Sequence, residues 1–260
     1  MGRWGIRRKG GGSHGARNCA AQRSGQVLAG KRADNRAPMN ALNTIQTIAV
    51  YLLPVLFGIT LHEAAHGWAA LRLGDETARR AGRVTLNPLR HIDPIGTIVM
   101  PLLLYVATAG SFVFGYAKPV PVNFMRLRNP RRDMALVALA GPASNFAMAF
   151  AWALLGTVLL ALGLREPFFI FMCQAGVSVN LALLALNLFP LPPLDGSRVL
   201  ISVLPPRFAL WLARVEPWGF YIVLALIFTG VFSRGWMLPL MQASGLLLRV
   251  LIRPIAALLH

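Results

Sequence analysis

Two histidines and a glutamate, His62, Glu63 and His66, lie together in an apolar stretch that extends from Ile48 to Ala70. In a helix, residues four apart share a face, so the two imidazoles point the same way. Histidines at this spacing, with a glutamate directly after the first, form the pattern of a zinc site in which the glutamate is the candidate general base. Ionisable side chains inside a membrane span are costly and usually functional. We therefore expect metal chemistry within an apolar helix.

The elements that must position these groups are those of an all-α polytopic membrane protein. Hydrophobic residues make up 56% of the 260 residues, and the mean hydropathy is +0.57. Several apolar windows approach the roughly 20 residues that a membrane helix needs. We expect five or six membrane segments, at 44–73, 94–109, 134–162, 168–189, 218–232 (with a start as early as 208) and 236–259. The last segment carries Arg249 and Arg253 and either spans the membrane or lies in its interface.

Charge is high and unevenly placed. The net charge of +17 suggests nucleic acid, but nine of the 26 Lys and Arg residues lie in residues 1–40 and most others flank apolar segments. Basic flanks fix the orientation of a membrane protein, so we expect a lipid bilayer and no nucleic acid as partner. Residues 1–40 have the composition of a disordered basic tail. Translation from Met39 would remove nearly all of this tail, and residues 41–260 are expected to form the membrane-embedded domain.

Four sequence blocks resemble one family. Besides the block from His62 to His66, they are Gly141-Pro142-Ala143-Ser144-Asn145, Asn187 eight residues before Asp195, and the ending Leu-Pro-Pro-Leu-Asp-Gly at 191–196. Together they resemble the site-2 proteases, which are intramembrane zinc metalloproteases. The segments 87–97 and 115–123 resemble the compact bacterial branch of that family, which has no PDZ domain. The resemblance covers residues 40–205.

The resemblance implies a function and a ligand set. It implies one Zn²⁺ per chain, bound by His62, His66 and Asp195, with Glu63 as the catalytic acid and base. The implied activity is hydrolysis of peptide bonds in or near the transmembrane segments of other membrane proteins, in a bacterial plasma membrane. Two alternatives are a zinc-binding scaffold without proteolysis and an ion transporter. The intact Glu63 argues against the scaffold, and the lack of an inverted half-repeat in the sequence argues against the transporter.

Three further residues are site candidates. The resemblance places Asn187 near the catalytic centre, and we favour a substrate or oxyanion contact for it. Asn145 matches the asparagine of the family's Gly-Pro-x-x-Asn motif. Both asparagines, and Asn180 with them, have an alternative role as hydrogen-bonded links between helices, which we favour for Asn180. His91 lies in a basic loop, where it is either structural or in contact with substrate.

The ligand set constrains the path of the chain through the membrane. His62 and His66 lie near the C-terminal end of the first segment, and Asp195 follows the C-terminal end of the fourth. Both segments must therefore run in the same direction to bring the three residues to one depth. Residues 71–132 are therefore predicted to make no net crossing, with 94–109 entering the membrane and 110–124 returning as a re-entrant strand or hairpin.

Two consequences follow for orientation and for substrate binding. The basic residues of 72–90 and 118–132 then share one side, which the positive-inside rule assigns to the cytoplasm, and the opposite side retains Arg165 and Arg234. The site would lie nearer the cytoplasmic face. We also expect the segment 111–123 to offer an edge to which an extended substrate adds as a strand.

Overall fold

The computed structural model describes residues 44–100, 103, 106 and 118–259. The predicted basic tail, most of the predicted re-entrant segment beyond residue 100, and the part of the candidate substrate edge at 111–117 lie outside the described residues. Residues from Thr44 onward form one compact unit.

The described residues form eight α-helices joined by short helical turns, with no strand among them. The α-helices are α1 (Thr44–Arg72), α2 (Thr77–Arg80), α3 (Pro130–Ala161), α4 (Pro167–Asn187), α5 (Asp195–Val203), α6 (Pro206–Arg214), α7 (Glu216–Phe228) and α8 (Leu238–Leu259). The remaining turns are 3₁₀ or π-helical and cover Pro88–Arg90, Pro94–Val99, Phe124–Arg126 and Ser233–Met237.

Four helices are long and apolar enough to cross a membrane, and the count is five if the pair α6 and α7, bent by 69°, forms one span. The four are Ile45–Arg72, Pro130–Ala161, Pro167–Asn187 and Ser233–Leu259. They coincide with the predicted first, third, fourth and sixth segments, which confirms an all-α polytopic membrane fold.

Helices α1, α3 and α4 pack against one another and form the centre of the bundle. Small residues allow the close approach, as is usual where apolar helices meet in lipid. A Cβ on Gly176 of α4 would overlap the indole of Trp152 on α3, so only glycine fits there. Ala149 of α3 and Ala185 of α4 are wholly buried as well. This contact among three helices is the frame that positions the site.

The chain between α1 and α3 leaves and returns at the same end of the bundle. The backbone N–H of Arg128 donates to the carbonyl of Leu73 at 3.0 Å. The N–H of Asn123 donates to Oδ2 of Asp75 at 2.7 Å. Because residues 73 and 128 meet, the chain between them makes no net crossing, which confirms this part of the prediction. The entry of 94–109 into the membrane and the return of 110–124 stay predictions. The turn Pro94–Val99 belongs to the part of the predicted re-entrant segment 94–109 that the structure describes continuously.

The predicted fifth segment also begins and ends at one level of the bundle. A Cβ on Gly219 would overlap the carbonyl oxygen of Pro192, while the ring of Phe232 stacks edge-on against Phe189 with centroids 4.9 Å apart. Both contacts lie just beyond the C-terminal end of α4, so residues 219–232 make no net crossing. The expectation that Arg234 lies on the side opposite the site is therefore wrong. Composition could not reveal this, because an apolar helix that stays on one side and an apolar helix that crosses have the same residues.

Candidate metal centre

The two histidines occupy one face of α1, as their spacing predicts. Their Nε2 atoms are 3.0 Å apart. Asp195 Oδ2 lies 3.1 Å from Nε2 of His62 and 3.3 Å from Nε2 of His66. Both imidazoles are buried, with 7% and 9% of their residue surface exposed. The structure thus brings Asp195 to the two histidines, from which the sequence separates it by more than a hundred residues. Within the described residues the three side chains form a group that could hold a metal ion.

Asp195 reaches the histidines because the chain turns sharply after α4. The turn between α4 and α5 folds back on the last carbonyls of α4, and Gly196 is buried against the backbone of Leu188, where a Cβ would overlap the carbonyl oxygen. Asp195 is the first residue of α5, and Ser197 N–H donates to the carbonyl of Leu194 at 3.0 Å. Glycine after the aspartate is thus a packing requirement of this turn.

The outer nitrogens of both imidazoles are held by acceptors. Nδ1 of His66 lies 2.8 Å from the carbonyl oxygen of Val137, and Nδ1 of His62 lies 2.6 Å from Oδ1 of Asn145. A carbonyl oxygen only accepts, so each Nδ1 carries a proton, and in its neutral form each ring then presents the lone pair of Nε2. Hydrogen bonds of this kind orient histidine ligands and fix their tautomer in metal sites.

The inner atoms fit a zinc ion. Two Nε2 lone pairs and a carboxylate oxygen converge, and Asp195 Oδ2 is buried with no hydrogen-bond donor. Three acceptors this close repel one another unless a cation lies between them. Nitrogen and oxygen ligands about 2.1 Å from a tetrahedral zinc are separated by about 3.4 Å, close to the separations seen here. Two imidazoles and one carboxylate also leave a fourth position open, which is typical of catalytic zinc.

Space for the imidazoles depends on Gly141 of α3. A Cβ at this position would lie 2.5 Å from Cε1 of His62 and would also overlap the ring of His66. The first glycine of the Gly-Pro-x-x-Asn motif therefore lets α3 approach the histidine face of α1, while the asparagine at its end contacts His62.

A cavity of about 300 Å³ opens beside the three ligands and contains Glu63. The carboxylate Oε2 of Glu63 accepts a hydrogen bond of 2.8 Å from the backbone N–H of Val120. Residues from three parts of the chain complete the cavity wall, namely Pro119, Val120, Val122, Phe124, Val137, Ala138, Asn187, Pro193 and Arg198. The described part of the candidate substrate edge therefore borders the cavity.

The other three predicted site residues occupy different positions relative to the cavity. Asn187 lines the cavity, and its Nδ2 donates to the carbonyl of Leu183 at 3.0 Å. Asn145 lies behind His62 and acts through it. His91 does not line the cavity: it is 2% exposed, and its Nε2 lies 3.0 Å from the carbonyl oxygen of Thr85. Of the two roles left open for His91, the structural one fits this position.

Sequence reasoning missed Val120 and Val137, which act through the backbone. A backbone N–H or carbonyl is present at nearly every position, so no residue type marks it. Asn180, interpreted as a link between helices, hydrogen-bonds to Asn145 behind His62. The only sequence feature that could have indicated this contact is the presence of a polar residue, Asn180, in an apolar helix.

A bundle of membrane helices with an interior His–His–Asp group defines a membrane metalloprotein, and comparison with known proteins narrows the class. The chain is 37% identical over 187 residues to YwhC of Bacillus subtilis strain 168, covering 68% of this chain and 80% of YwhC. It is 31% identical over 227 residues to Rip2 of Mycolicibacterium smegmatis, covering 83% of this chain and 79% of Rip2. Rip2 of Mycobacterium tuberculosis H37Rv is 32% identical over 203 residues, 74% of each chain. All three are provisionally named zinc metalloproteases.

No family model and no solved structure matches the chain. The relatives nevertheless cover most of its length at more than 30% identity, and the described helices carry the expected ligand group. The chain belongs to the site-2 protease family of zinc metalloproteases, and its cofactor is Zn²⁺.

Proposed function

We propose that the protein is an intramembrane endopeptidase that hydrolyses peptide bonds in or near the transmembrane segments of other membrane proteins. The observation that carries the proposal is the convergence of His62, His66 and Asp195 within a membrane-helix bundle, with Glu63 in the adjoining cavity. A site built for another purpose would not need a carboxylate beside the open position of the metal.

In this proposal His62, His66 and Asp195 hold the zinc. When bound, zinc polarises the scissile carbonyl and lowers the pKa of a water molecule to about 7. The tautomers fixed by Asn145 and Val137 keep both Nε2 lone pairs directed at the metal position. Asp195 adds a negative charge, so the ligands offset part of the charge of the cation in this buried setting.

Glu63 performs the proton transfers. Its carboxylate takes a proton from the attacking water and delivers it to the amine that leaves when the peptide bond breaks. A positioned acid and base of this kind contributes about 10²- to 10⁴-fold to a rate. The hydrogen bond from Val120 N–H holds Oε2 and leaves Oε1 available for the proton.

Asn187 is proposed to contact the reacting carbonyl. It lies on the same cavity wall as Asp195, at the last residue of α4. Its Nδ2 donates one hydrogen to Leu183, and the amide has a second N–H that a carbonyl oxygen entering the cavity would accept.

The substrate must be extended where it is cut, because a helical peptide bond is shielded by its neighbours. Part of the backbone of the proposed edge is already engaged: Lys118 N–H donates to His91 O, Val120 N–H to Glu63 and Asn123 N–H to Asp75. Proline has no N–H, so positions 119 and 121 offer only carbonyls. A substrate strand added here would pair with the carbonyls and with Val122.

The location follows from charge. The loop between α1 and α3 and the helix ends beside it carry most of the basic residues outside the tail, and basic loops face the cytoplasm. We propose that the protein lies in a bacterial plasma membrane with its zinc nearer the cytoplasmic face.

The test compares the wild type with Glu63→Gln on a panel of single-span membrane proteins, after bound zinc has been measured in both. The proposal predicts about one zinc per chain in both proteins and cleavage by the wild type alone. Zinc without cleavage in the wild type would favour the scaffold, and metal-dependent ion flux in vesicles would favour the transporter. Equal cleavage by both proteins would contradict the role of Glu63.

A further inference from the structure

A chain of buried hydrogen bonds joins His62 to a side chain that touches neither the ligand group nor the cavity. Asn180 Nδ2 donates to Gly176 O at 2.8 Å. Asn180 Oδ1 accepts from Asn145 Nδ2 at 3.1 Å, and the same Nδ2 donates to Gly58 O at 3.1 Å. Asn145 Oδ1 then meets His62 Nδ1 at 2.6 Å. Both asparagines are 0% exposed.

Two backbone carbonyls, Gly176 O and Gly58 O, together fix the direction of these bonds. Gly176 offers only a carbonyl, so Asn180 must present its NH₂ there and its Oδ1 to Asn145. Asn145 then directs both N–H groups at acceptors, Gly58 O and Asn180 Oδ1. The atom left for His62 is Oδ1, which only accepts. His62 must therefore carry its proton on Nδ1 and a lone pair on Nε2.

We propose that Asn180 is a positioning residue that sets the tautomer of His62 through Asn145. The proposal rests on the proposed function, because it gives Asn180 a role toward the zinc. Without Asn180 Oδ1, one N–H of Asn145 loses its acceptor, and Gly58 O alone holds the amide against a rotation by 180°. Such a rotation would turn the NH₂ toward His62, make Nδ1 the acceptor and move the proton to Nε2, where it blocks coordination.

The test measures the zinc dissociation constant of the purified full chain by competition with a chelator. Asn180→Leu removes the acceptor, and we expect it to weaken zinc binding about 10- to 100-fold, as loss of outer partners of metal ligands does. Asn180→Asp is the matched control. As a neutral acid in this buried position it donates to Gly176 and accepts from Asn145, so it should bind zinc nearly as tightly as the wild type.

The outcomes separate this proposal from the proposed function. A wild type that binds no zinc defeats the proposed function itself. A wild type that binds zinc, with Asn180→Leu binding equally tightly, overturns the role of Asn180 alone. If Asn180→Leu does not fold, nitrogen NMR shifts of His62 in the zinc-free wild type decide: a proton on Nδ1 is expected, and a proton on Nε2 overturns the proposal.

A second, independent observation concerns the part of the bundle remote from the metal centre. A groove of about 550 Å³ lies between α3, α4 and α8. Its walls are mainly apolar, and Arg249 and Arg253 of α8 line it together.

Trp236 Nε1 donates to Ala185 O at the metal end of the bundle, while Leu248 packs against Ala149 and Leu181. The two arginines therefore lie toward the opposite end of α8.

Both arginines lie within a membrane-spanning helix, Ser233–Leu259. In the part of the chain that the structure describes, neither makes an ion pair, and no carboxylate lines the groove. Charged groups in a span need a partner, and a basic groove between membrane helices matches the headgroup of an acidic lipid. We propose that this groove binds one anionic phospholipid, with its phosphate at the arginines and an acyl chain along the apolar wall.

The test measures binding of phosphatidylglycerol and phosphatidylcholine to the detergent-purified chain by native mass spectrometry. We expect the wild type to prefer phosphatidylglycerol and Arg249→Gln with Arg253→Gln to lose about 25-fold in that preference, at about fivefold per arginine. Arg165→Gln, an exposed arginine between α3 and α4, is the control and should retain the preference. Equal binding of both lipids by the wild type, or an unchanged preference in the double variant, overturns the proposal.

Discussion

Glu63 and Val120 are joined by a hydrogen bond of 2.8 Å from the backbone N–H of Val120 to Oε2 of the carboxylate. Val120 stands between Pro119 and Pro121, which have no N–H, so it supplies the one donor of this tripeptide. Its position is held in turn by Arg83, whose guanidinium donates to the carbonyls of Lys118 at 3.3 Å and Pro119 at 3.4 Å. A buried arginine thus supports the orientation of Glu63, the proposed general base, through a proline-flanked segment.

Arg83→Met should lower kcat while leaving bound zinc unchanged. The loss of two hydrogen bonds lets the segment at Val120 shift, and misplacement of a catalytic group by about 1 Å can cost about 100-fold. Cleavage rates and zinc content of the same samples check this. Arg79→Met is the control, because that arginine is exposed and pairs only with Glu76. Loss of zinc in Arg83→Met would show that Arg83 supports the ligands instead.

Asp195→Ala should lose both zinc and cleavage. The alanine removes the one anionic ligand and leaves two imidazoles, which is one ligand fewer than catalytic zinc sites use. Metal analysis after dialysis provides the measurement, with Glu63→Gln as the control that retains zinc. Full zinc occupancy in Asp195→Ala would contradict the ligand assignment.

Gly141→Ala should abolish zinc binding although the change adds one methyl group. The new Cβ would overlap both imidazoles, so either the rings rotate away from Asp195 or α3 separates from α1. Gly245→Ala on α8 is the matched control, since its Cβ would meet only Leu181 at an ordinary 3.7 Å. Wild-type zinc affinity in Gly141→Ala would show that the histidines do not need the observed approach of α3.

The hydrogen bond from Asn123 N–H to Asp75 Oδ2, called the Asp75 latch below, joins the end of α1 to the returning chain and predicts a pH dependence of stability. Burial raises the pKa of this carboxyl, but hydrogen bonds from the Thr77 side chain and from the N–H groups of Asn123 and Thr77 outweigh it and lower the pKa overall. A lowered folded-state pKa stabilises the protein above the unfolded value of about 3.9, and this stabilisation is lost as pH falls through the folded value.

We therefore expect the Tm of the wild type to fall on acidification below about pH 4 more steeply than that of Asp75→Asn. At neutral pH the variant should be the less stable of the two, because its neutral amide replaces a charged acceptor. Thermal unfolding across pH measures both effects, with Glu166→Gln, an exposed substitution, as the control. Parallel Tm curves for wild type and Asp75→Asn would contradict the latch.

Much of the centre was predictable because its chemistry depends on residue type and spacing. Histidines four apart on a helix share a face, and the resemblance supplied Asp195 as their partner. The requirement that all three meet at one depth then predicted the return of the chain, which the contact between Leu73 and Arg128 confirms. These inferences needed only the periodicity of a helix and the rule that two segments running in the same direction are separated by an odd number of crossings.

The rest depends on contacts that residue types do not encode. The path of residues 219–232 is fixed by Gly219 against Pro192 and by Phe232 against Phe189. An apolar composition fits a helix that stays on one side and a helix that crosses equally. Asn180 differs from any helix-linking asparagine only through the direction of its hydrogen bonds. Such features can be known only from the three-dimensional packing of the helices.

Zinc-edge X-ray absorption of the purified wild type and of Asp195→Ala tests the central claim most directly. We expect about one zinc per chain in the wild type, with two imidazole nitrogens at about 2.0–2.1 Å and the remaining ligands oxygen, and little or no zinc in Asp195→Ala. A wild-type spectrum without two imidazoles, or the same spectrum and occupancy in Asp195→Ala, would contradict the claim that His62, His66 and Asp195 hold the catalytic metal.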